Sequence, residues 1–460
     1  MDASLDLQGL HAAHLGIERE RFERALEASG YSGALIYSGS LTPIFADDQS
    51  YPFKAHAWFK AWVPVGDLPE SFVYFAPGAQ RPLVLFSQPA GYWHKAAERP
   101  RDYWTAHVDL EPVVDLAAAR AALPRDLGSI AYVGERFPEL AQWGVAAENP
   151  PRLMSRLDFD RAFKTPFELA CLRAANRLAA LGHRAAARAF EEGRSALEIE
   201  LEFLRACGAR EQELPYSPIV ALNENGAVLH YQRLERTPPA ASRSLLIDAG
   251  VEFAGYASDV TRTYSRNAEF AALIERFEEL QQTLCASVHS GVDWRDVHLT
   301  AHHLVADLLR DADITRCEAT EAVETGVSSV FLPHGVGHLL GLQVHDAGGL
   351  LRSPDGEEVP RPEGHPHLRL TRVLAEGFVV TMEPGIYFIE QLLAQARADT
   401  RARHINWSRV ESLKPFGGIR IEDDLAVETT GAENLTRDAF AAVERGPTAP
   451  RSDAASTRDA

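Results

Sequence analysis

Cysteine is scarce. Only four occur in 460 residues, Cys171, Cys207, Cys285 and Cys317, far apart and with no C-x-x-C pair. That spacing excludes a disulfide framework and a zinc knuckle and fits buried, reduced thiols, so a cytoplasmic protein is expected. Positive charge is also short: 46 Lys and Arg against 65 Asp and Glu give a net charge of −19. A field of that sign repels phosphate backbones and anionic lipid, which argues against nucleic-acid and membrane-surface partners. No run approaches the ~18 apolar residues of a membrane span. The opening MDASLDLQGLHAAHL carries Asp2 and Asp6 where a signal peptide needs Lys or Arg, so no export signal is expected.

What remains is ordinary globular composition, 46% apolar and 24% charged, in a length that suits two domains. The first part alternates helix and strand signals. Residues 16–29 have helical spacing up to Gly30, and short apolar runs at 34–37, 72–75, 83–86 and 130–133 read as buried strands, together a mixed α/β domain. The stretch Pro43–Val65 (PIFADDQSYPFKAHAWFKAWVPV) has six aromatics and no clean period. It is either a packed loop or a recognition segment. Its acids, Asp47 and Asp48, are candidates to hold a cationic substrate group at the mouth of a site, in the same chain or across a dimer interface. They could equally cap local turns.

Thr165-Pro166-Phe167-Glu168 is a capping box with Pro at the first helical position, and Ser195-Ala196-Leu197-Glu198 is a second box. The expected division is therefore an N-terminal domain over 1–160 and a second domain over 161–440. Strands are expected to dominate after Ser244, and the small, polar residues 441–460 read as a disordered tail.

Four segments of the second part place acids and histidines inside apolar runs, where an unpaired carboxylate is costly. In LLIDAGVEFAGYASDVTRTY, a hairpin centred near Phe253/Ala254 would set Asp248 roughly opposite Asp259, and two like charges that close need a cation between them. FLPHGVGHLLGLQVHD carries His334, His338 and His345 among glycines. Position 335 is Gly where a zincin helix needs Glu, so this is a loop and not a zinc-protease helix. Glu383 follows an apolar strand and precedes a Pro-Gly turn. Arg420 and Glu422 are two apart and share a strand face. Each pair alone could be a structural ion pair. Together, Asp248, Asp259, Glu383 and Glu422 supply four negative charges, which two divalent cations balance, with His338 completing an oxygen-rich shell. Such a pair can share a water and lower its pKa. Hard donors with one imidazole suit Mn2+, and Co2+ or Zn2+ also fit.

These five residues, in IDAG, SDVTRTY, HGVGH, MEPGIY and RIEDD over roughly 175 positions, resemble the ligand set of the pita-bread metallopeptidases. YPFKAHAWFKAWVPV and YWHKAAE are similar to the bacterial Xaa-Pro dipeptidases and the related organophosphorus acid anhydrolases. The resemblance implies an α+β protein: a creatinase-like N-terminal α/β domain, then a pita-bread catalytic domain of curved antiparallel sheet covered by helices. It implies that Asp259 and Glu422 bridge two metals, that Asp248 binds one, and that His338 and Glu383 bind the other. Glu383 would also be the general base for the bridging hydroxide. It further implies catalytic roles for His230 and His345 and substrate contacts by Arg420, on the dipeptide carboxylate, His334 and Tyr216. The implied reaction is hydrolysis of Xaa-Pro dipeptides, with organophosphate esters as a side substrate, in a homodimer. Two alternatives stand beside it: an aminopeptidase P acting on longer Xaa-Pro peptides, and a non-catalytic pita-bread binding protein.

Overall fold

The computed structural model describes residues 6–89, 91 and 98–445. Nearly all of the YWHKAAE motif, and the last fifteen residues of the expected tail, lie outside them.

The chain begins with a helix, Leu7–Ser29, that starts earlier than the periodic stretch from Gly16. Asp6 caps it by accepting from the Gly9 N–H, and Gly30 closes it in a left-handed conformation. The expected strands follow. β1 (Gly33–Tyr37), β2 (Phe72–Phe75), β3 (Leu83–Ser87), β4 (Asp109–Val113), β5 (Ile130–Val133) and β6 (Ala147–Glu148) form one mixed sheet in the order β4-β3-β2-β1-β5-β6. β1 is buried at all five positions, and such a strand reads as a continuous apolar run, not as an alternation.

Part of the 43–65 segment departs from the expectation of irregular structure. Ala57–Trp62 is a helix, and all six of its residues are buried. A helix covered on every side shows no 3.6-residue period, which is why the sequence hid it. Trp58, Phe59 and Trp62 pack with Phe22 and Phe75 in the core under the sheet.

Both capping boxes form. Thr165 opens Pro166–Glu191 and Ser195 opens Ala196–Cys207, each with reciprocal bonds to the Glu three positions on. Two antiparallel three-stranded sheets build the site's scaffold. One is β7 (Ile219–Leu222), β8 (Ser244–Asp248) and β11 (Thr261–Ser265), with the short ribbon β9 (Glu252–Phe253) and β10 (Tyr256–Ala257) at its tip. The other is β12 (Val379–Met382), β15 (Asp423–Glu428) and β16 (Gly431–Asn434), with β13 (Gly385–Tyr387) paired to β14 (Gly418–Arg420). A bridge between Thr261 and Glu422 joins the two halves.

Strands do not dominate throughout. The helices Ala268–Ala286 and Trp294–Asp311 lie between the halves and bury Phe270, Leu273, Ile274, Phe277 and Val297, Ala301, Val305. These apolar positions recur every three or four residues, the period of a helix with one buried face. The final helix, Leu435–Arg445, also runs five residues into the stretch expected to be tail. Its inner face, Leu435, Thr436 and Ala439, is anchored upstream, and Phe440 lies under the Arg262 guanidinium. The polar residues to Arg445 continue a helix already held in place.

A buried cluster ties the segment just after residue 160 to the body of the second part. Asp346 accepts from Lys164 Nζ at 2.9 Å and from Arg161, and all three side chains are almost fully buried. Burial pushes the Asp346 carboxyl up, but the two cations outweigh it and hold it below the ordinary carboxylate range. Its contribution to stability is therefore present above that range and is lost as pH falls through the depressed value. Asp346→Asn is expected to cost about 3–5 kcal/mol, because it strands two buried cations. A urea midpoint shift corresponding to less than about 1 kcal/mol would show the cluster to be energetically neutral.

Candidate active site and metal centre

Hairpin register places the first two acids. The turn falls at Ala254-Gly255, both with positive φ, one residue later than the expected centre. Phe253 pairs with Tyr256, and Asp248 pairs with Thr261, not with Asp259. Asp259 is the diagonal neighbour. Residues 259 and 261 share a face, so the two carboxylates still point to one side.

The HGVGH loop lies against β12. Thr381 N–H donates to the His338 carbonyl at 3.0 Å, and Thr381 Oγ1 accepts from the His338 N–H at 3.2 Å. Gly337 makes this approach possible: a Cβ there would sit 2.1 Å from the Thr381 carbonyl oxygen. The ring of His338 donates through Nδ1 to the Leu339 carbonyl at 3.0 Å. That orients the ring and aims Nε2 at Asp259 (3.4 Å) and Glu383 (3.6 Å). Glu383 ends β12, and its N–H donates to Val336 at 2.9 Å. Glu422 accepts from Thr261 Oγ1 at 2.6 Å.

These elements surround a cavity of about 640 Å3, lined by the ten residues to which the resemblance assigns roles: Tyr216, His230, Asp248, Asp259, His334, His338, His345, Glu383, Arg420 and Glu422. Ligand atoms of Asp259, His338 and Glu422 lie within 4.8 Å of one another. Tyr216 donates to Asp259 Oδ1 at 2.6 Å. His334 bonds Tyr387 Oη at 2.8 Å and sits 3.7 Å from Glu383. His345 stacks edge-on against His338, with ring centres 4.5 Å apart. Asp47 and Asp48 are exposed, and neither lines the cavity of its own chain. Asp47 accepts from the Gln49 N–H, a local turn cap.

The electrostatics are those of an anionic cage. Burial raises Glu383 to about 7, with His338 opposing and Asp259 reinforcing the shift. Burial and the neighbouring acids likewise raise Asp259 and Glu422. Burial alone would lower His338, but its bond to Asp259 and the charge of Glu383 hold it above the ordinary imidazole value. Asp248 Oδ1 is buried without a hydrogen-bond partner among the described residues. Carboxylates arranged like this are strained without cations. Four acids and one imidazole aimed into one space fit a pair of divalent ions.

Residues 170–429 match the profile of Metallopeptidase family M24, and residues 9–159 match the Xaa-Pro dipeptidase N-terminal domain. The chain belongs to metallopeptidase family M24. Among its relatives, an Xaa-Pro dipeptidase of Shewanella amazonensis is 43% identical over 434 residues, 94% of this chain and 99% of its own. An Xaa-Pro dipeptidase of Stenotrophomonas maltophilia (strain K279a) is 44% identical over 439 residues, 95% of this chain and 98% of its own. Aminopeptidase P of E. coli, solved with the inhibitor Pro-Leu, superposes with a TM-score of 0.68 at 21% identity, over 92% of this chain and 95% of that one. That likeness establishes the shared pita-bread fold. M24 membership implies a dinuclear divalent metal site, and the donor set described above fits one.

Around this M24 centre the structure adds residues that sequence reading missed. Asp424 Oδ2 accepts from the Asp259 N–H at 3.1 Å and from Asn176 at 2.8 Å. Asp423 is held by Arg262 and Arg437, each at 2.7 Å. Both stand beside Glu422 in the sequence, where EDD reads as one acidic run. Only the partners, Asn176 and Arg437 on helices and Arg262 on β11, show that these two are supports. Arg369 and His367, both exposed, also line the cavity.

Arg420 is more enclosed than expected. It is buried, donating to Asp248 Oδ2 at 2.7 Å, Tyr387 Oη at 2.9 Å and Thr261 Oγ1 at 3.2 Å. Its guanidinium therefore faces both a ligand candidate and the cavity.

Proposed function

We propose that this protein is a metal-dependent Xaa-Pro dipeptidase that hydrolyses dipeptides ending in proline. The observation that carries this reading is the convergence of Asp248, Asp259, His338, Glu383 and Glu422 on one cavity that Arg420 and Arg369 also line. The names and coverage of the relatives support the substrate class, and they do not favour aminopeptidase P as the activity. Asp259 and Glu422 would be shared by two divalent ions, with Asp248 on one and His338 and Glu383 on the other. Oxygen-rich donors make Mn2+ the expected metal, with Co2+ and Zn2+ as substitutes. Bound there, the ions would polarise the scissile carbonyl and lower the pKa of the attacking water.

The rest falls to the chain. A bond to proline has no N–H, so recognition must use the carbonyl and the chain ends. Glu383, at the end of β12 and 3.6 Å from His338, would take the proton of the attacking water and pass it to the imino nitrogen as the bond breaks. His230 and His345 flank the substrate. Burial keeps the His345 ring neutral, at about 3, so it donates or accepts a hydrogen bond without adding charge. His334 and Tyr216 complete the wall. The cations at the cavity would hold the carboxylate that follows proline.

The test is hydrolysis of Ala-Pro against Ala-Pro-Ala by metal-stripped protein after Mn2+, Co2+ or Zn2+ is returned. Dipeptide turnover restored by metal, with little on the tripeptide, is expected. Faster turnover of the tripeptide would overturn the reading in favour of an aminopeptidase.

We also propose a division near residue 160, a cytoplasmic location and a homodimer. The four cysteines are unpaired, and among the described residues no helix is long and apolar enough to cross a membrane. The dimer reading rests on the 43–65 segment and its approach. There Phe45 is 96% exposed, with Tyr51 and Leu41 about half exposed, an apolar edge suited to a second copy. Phe45→Ser with Tyr51→Ser is expected to shift the mass measured by light scattering from two chains towards one. An unchanged mass would remove this segment from the interface.

A further inference from the structure

Outside the acidic cage, three other histidines meet. The helix Trp294–Asp311 carries His298 and His302 one turn apart on its inner face, both almost fully buried. His365, half-exposed, reaches them from the segment that leads to His367 and Arg369 on the cleft wall. The three ring centres are 4.5–4.7 Å apart. One nitrogen from each ring lies within 4.8 Å of the others, and His298 Nε2 is 2.9 Å from His365 Nδ1.

Two features point to a ligand. His302 bonds Ser328 Oγ through Nδ1 at 3.0 Å, which sets the ring, while its Nε2 is buried without a partner among the described residues. Leaving such an atom bare is costly, and a second group that orients an imidazole is the usual support of a metal ligand. Burial first, and the neighbouring imidazoles second, lower His298 and His302 to about 2 and about 3. The rings are therefore neutral, and an ion would replace the proton shared between His298 Nε2 and His365 Nδ1.

We propose that His298, His302 and His365 form a third, mononuclear site for a divalent ion that prefers imidazole, Zn2+ in the first instance. Zn–N bonds of about 2.0–2.1 Å set tetrahedral neighbours roughly 3.3 Å apart, and one nitrogen from each ring already lies within 4.8 Å of the others. Exposure of His365 leaves the fourth position to water. The set is all nitrogen, whereas the cage beside it is mostly carboxylate oxygen, so the two select different ions. The ion would pin the 365–369 segment, and with it His367 and Arg369, to the helix behind the cleft. It would act by positioning and not by touching substrate.

The test uses full-length protein stripped of metal, equilibrated with Zn2+ and freed of excess by gel filtration. Three ions per chain are expected, falling to two in His302→Gln and in His365→Asn. The second change is on a half-exposed side chain and spares the core if the first fails to fold. Crystals of the Zn2+-loaded wild type should give an anomalous peak at the zinc edge among the three rings, and Asp259→Asn should leave that peak in place while depleting the acidic cage. Retention of the peak in that variant separates this site from the dinuclear reading. No peak among the rings, with the cage filled, would overturn the proposal and leave the cluster as hydrogen-bonded imidazoles.

Discussion

Asp259→Asn and Glu422→Gln should each lower dipeptide turnover by more than about 1,000-fold and bring bound metal below two ions per chain. Each carboxylate is buried, aimed into the cavity and raised by its neighbours, so each holds its charge only if cations are present. Replacing one with an amide keeps the shape and removes one of four negative charges. Residues that only orient a ligand typically cost about 10–100-fold when changed, so a ligand shared by two ions should exceed that range. The matching control is Asp424→Asn. It keeps an acceptor for the Asp259 N–H and should stay within the smaller range. Two metals and near-native turnover in either Asp259→Asn or Glu422→Gln would show that the ligand assignment is wrong.

The candidate site was legible for a physical reason. Buried acids and histidines contradict their apolar surroundings, and that contradiction is visible residue by residue: Asp248 after SLLI, Glu383 after VVTM, His338 between glycines and leucines. Capping boxes at Thr165 and Ser195 were legible because they are local. What escaped was non-local or lacked contrast. The hairpin at Ala254-Gly255 was misplaced by one residue, because its turn uses a non-glycine in the left-handed region and little in FAGY marks the centre. The Ala57–Trp62 helix has no polar face to reveal it. Arg420 looked free for a substrate carboxylate because Asp248, 172 positions earlier, comes beside it only in the fold. Arg369 carried no local signal at all.

That enclosure of Arg420 shapes the last expected result. Arg420→Ala should reduce kcat/KM on Ala-Pro on the order of 10- to 100-fold more than on Ala-Pro-amide, since losing a charge-assisted bond to a carboxylate costs about 1.5–3 kcal/mol. It should also lower activity on both substrates, because Asp248 loses its 2.7 Å partner. Arg369→Ala separates these two effects. Arg369 lines the same cavity from an exposed position beside His345, which feels its charge, and among the described residues it makes no hydrogen bond or ion pair to a ligand carboxylate. If Arg369 shares in binding the substrate carboxylate, its loss should fall on the dipeptide acid, raise KM more than it lowers kcat, and leave metal content unchanged. If both variants lose equal activity on acid and amide, Arg420 serves to hold Asp248, Arg369 is a bystander, and selection for a free carboxylate must reside elsewhere on the cavity wall.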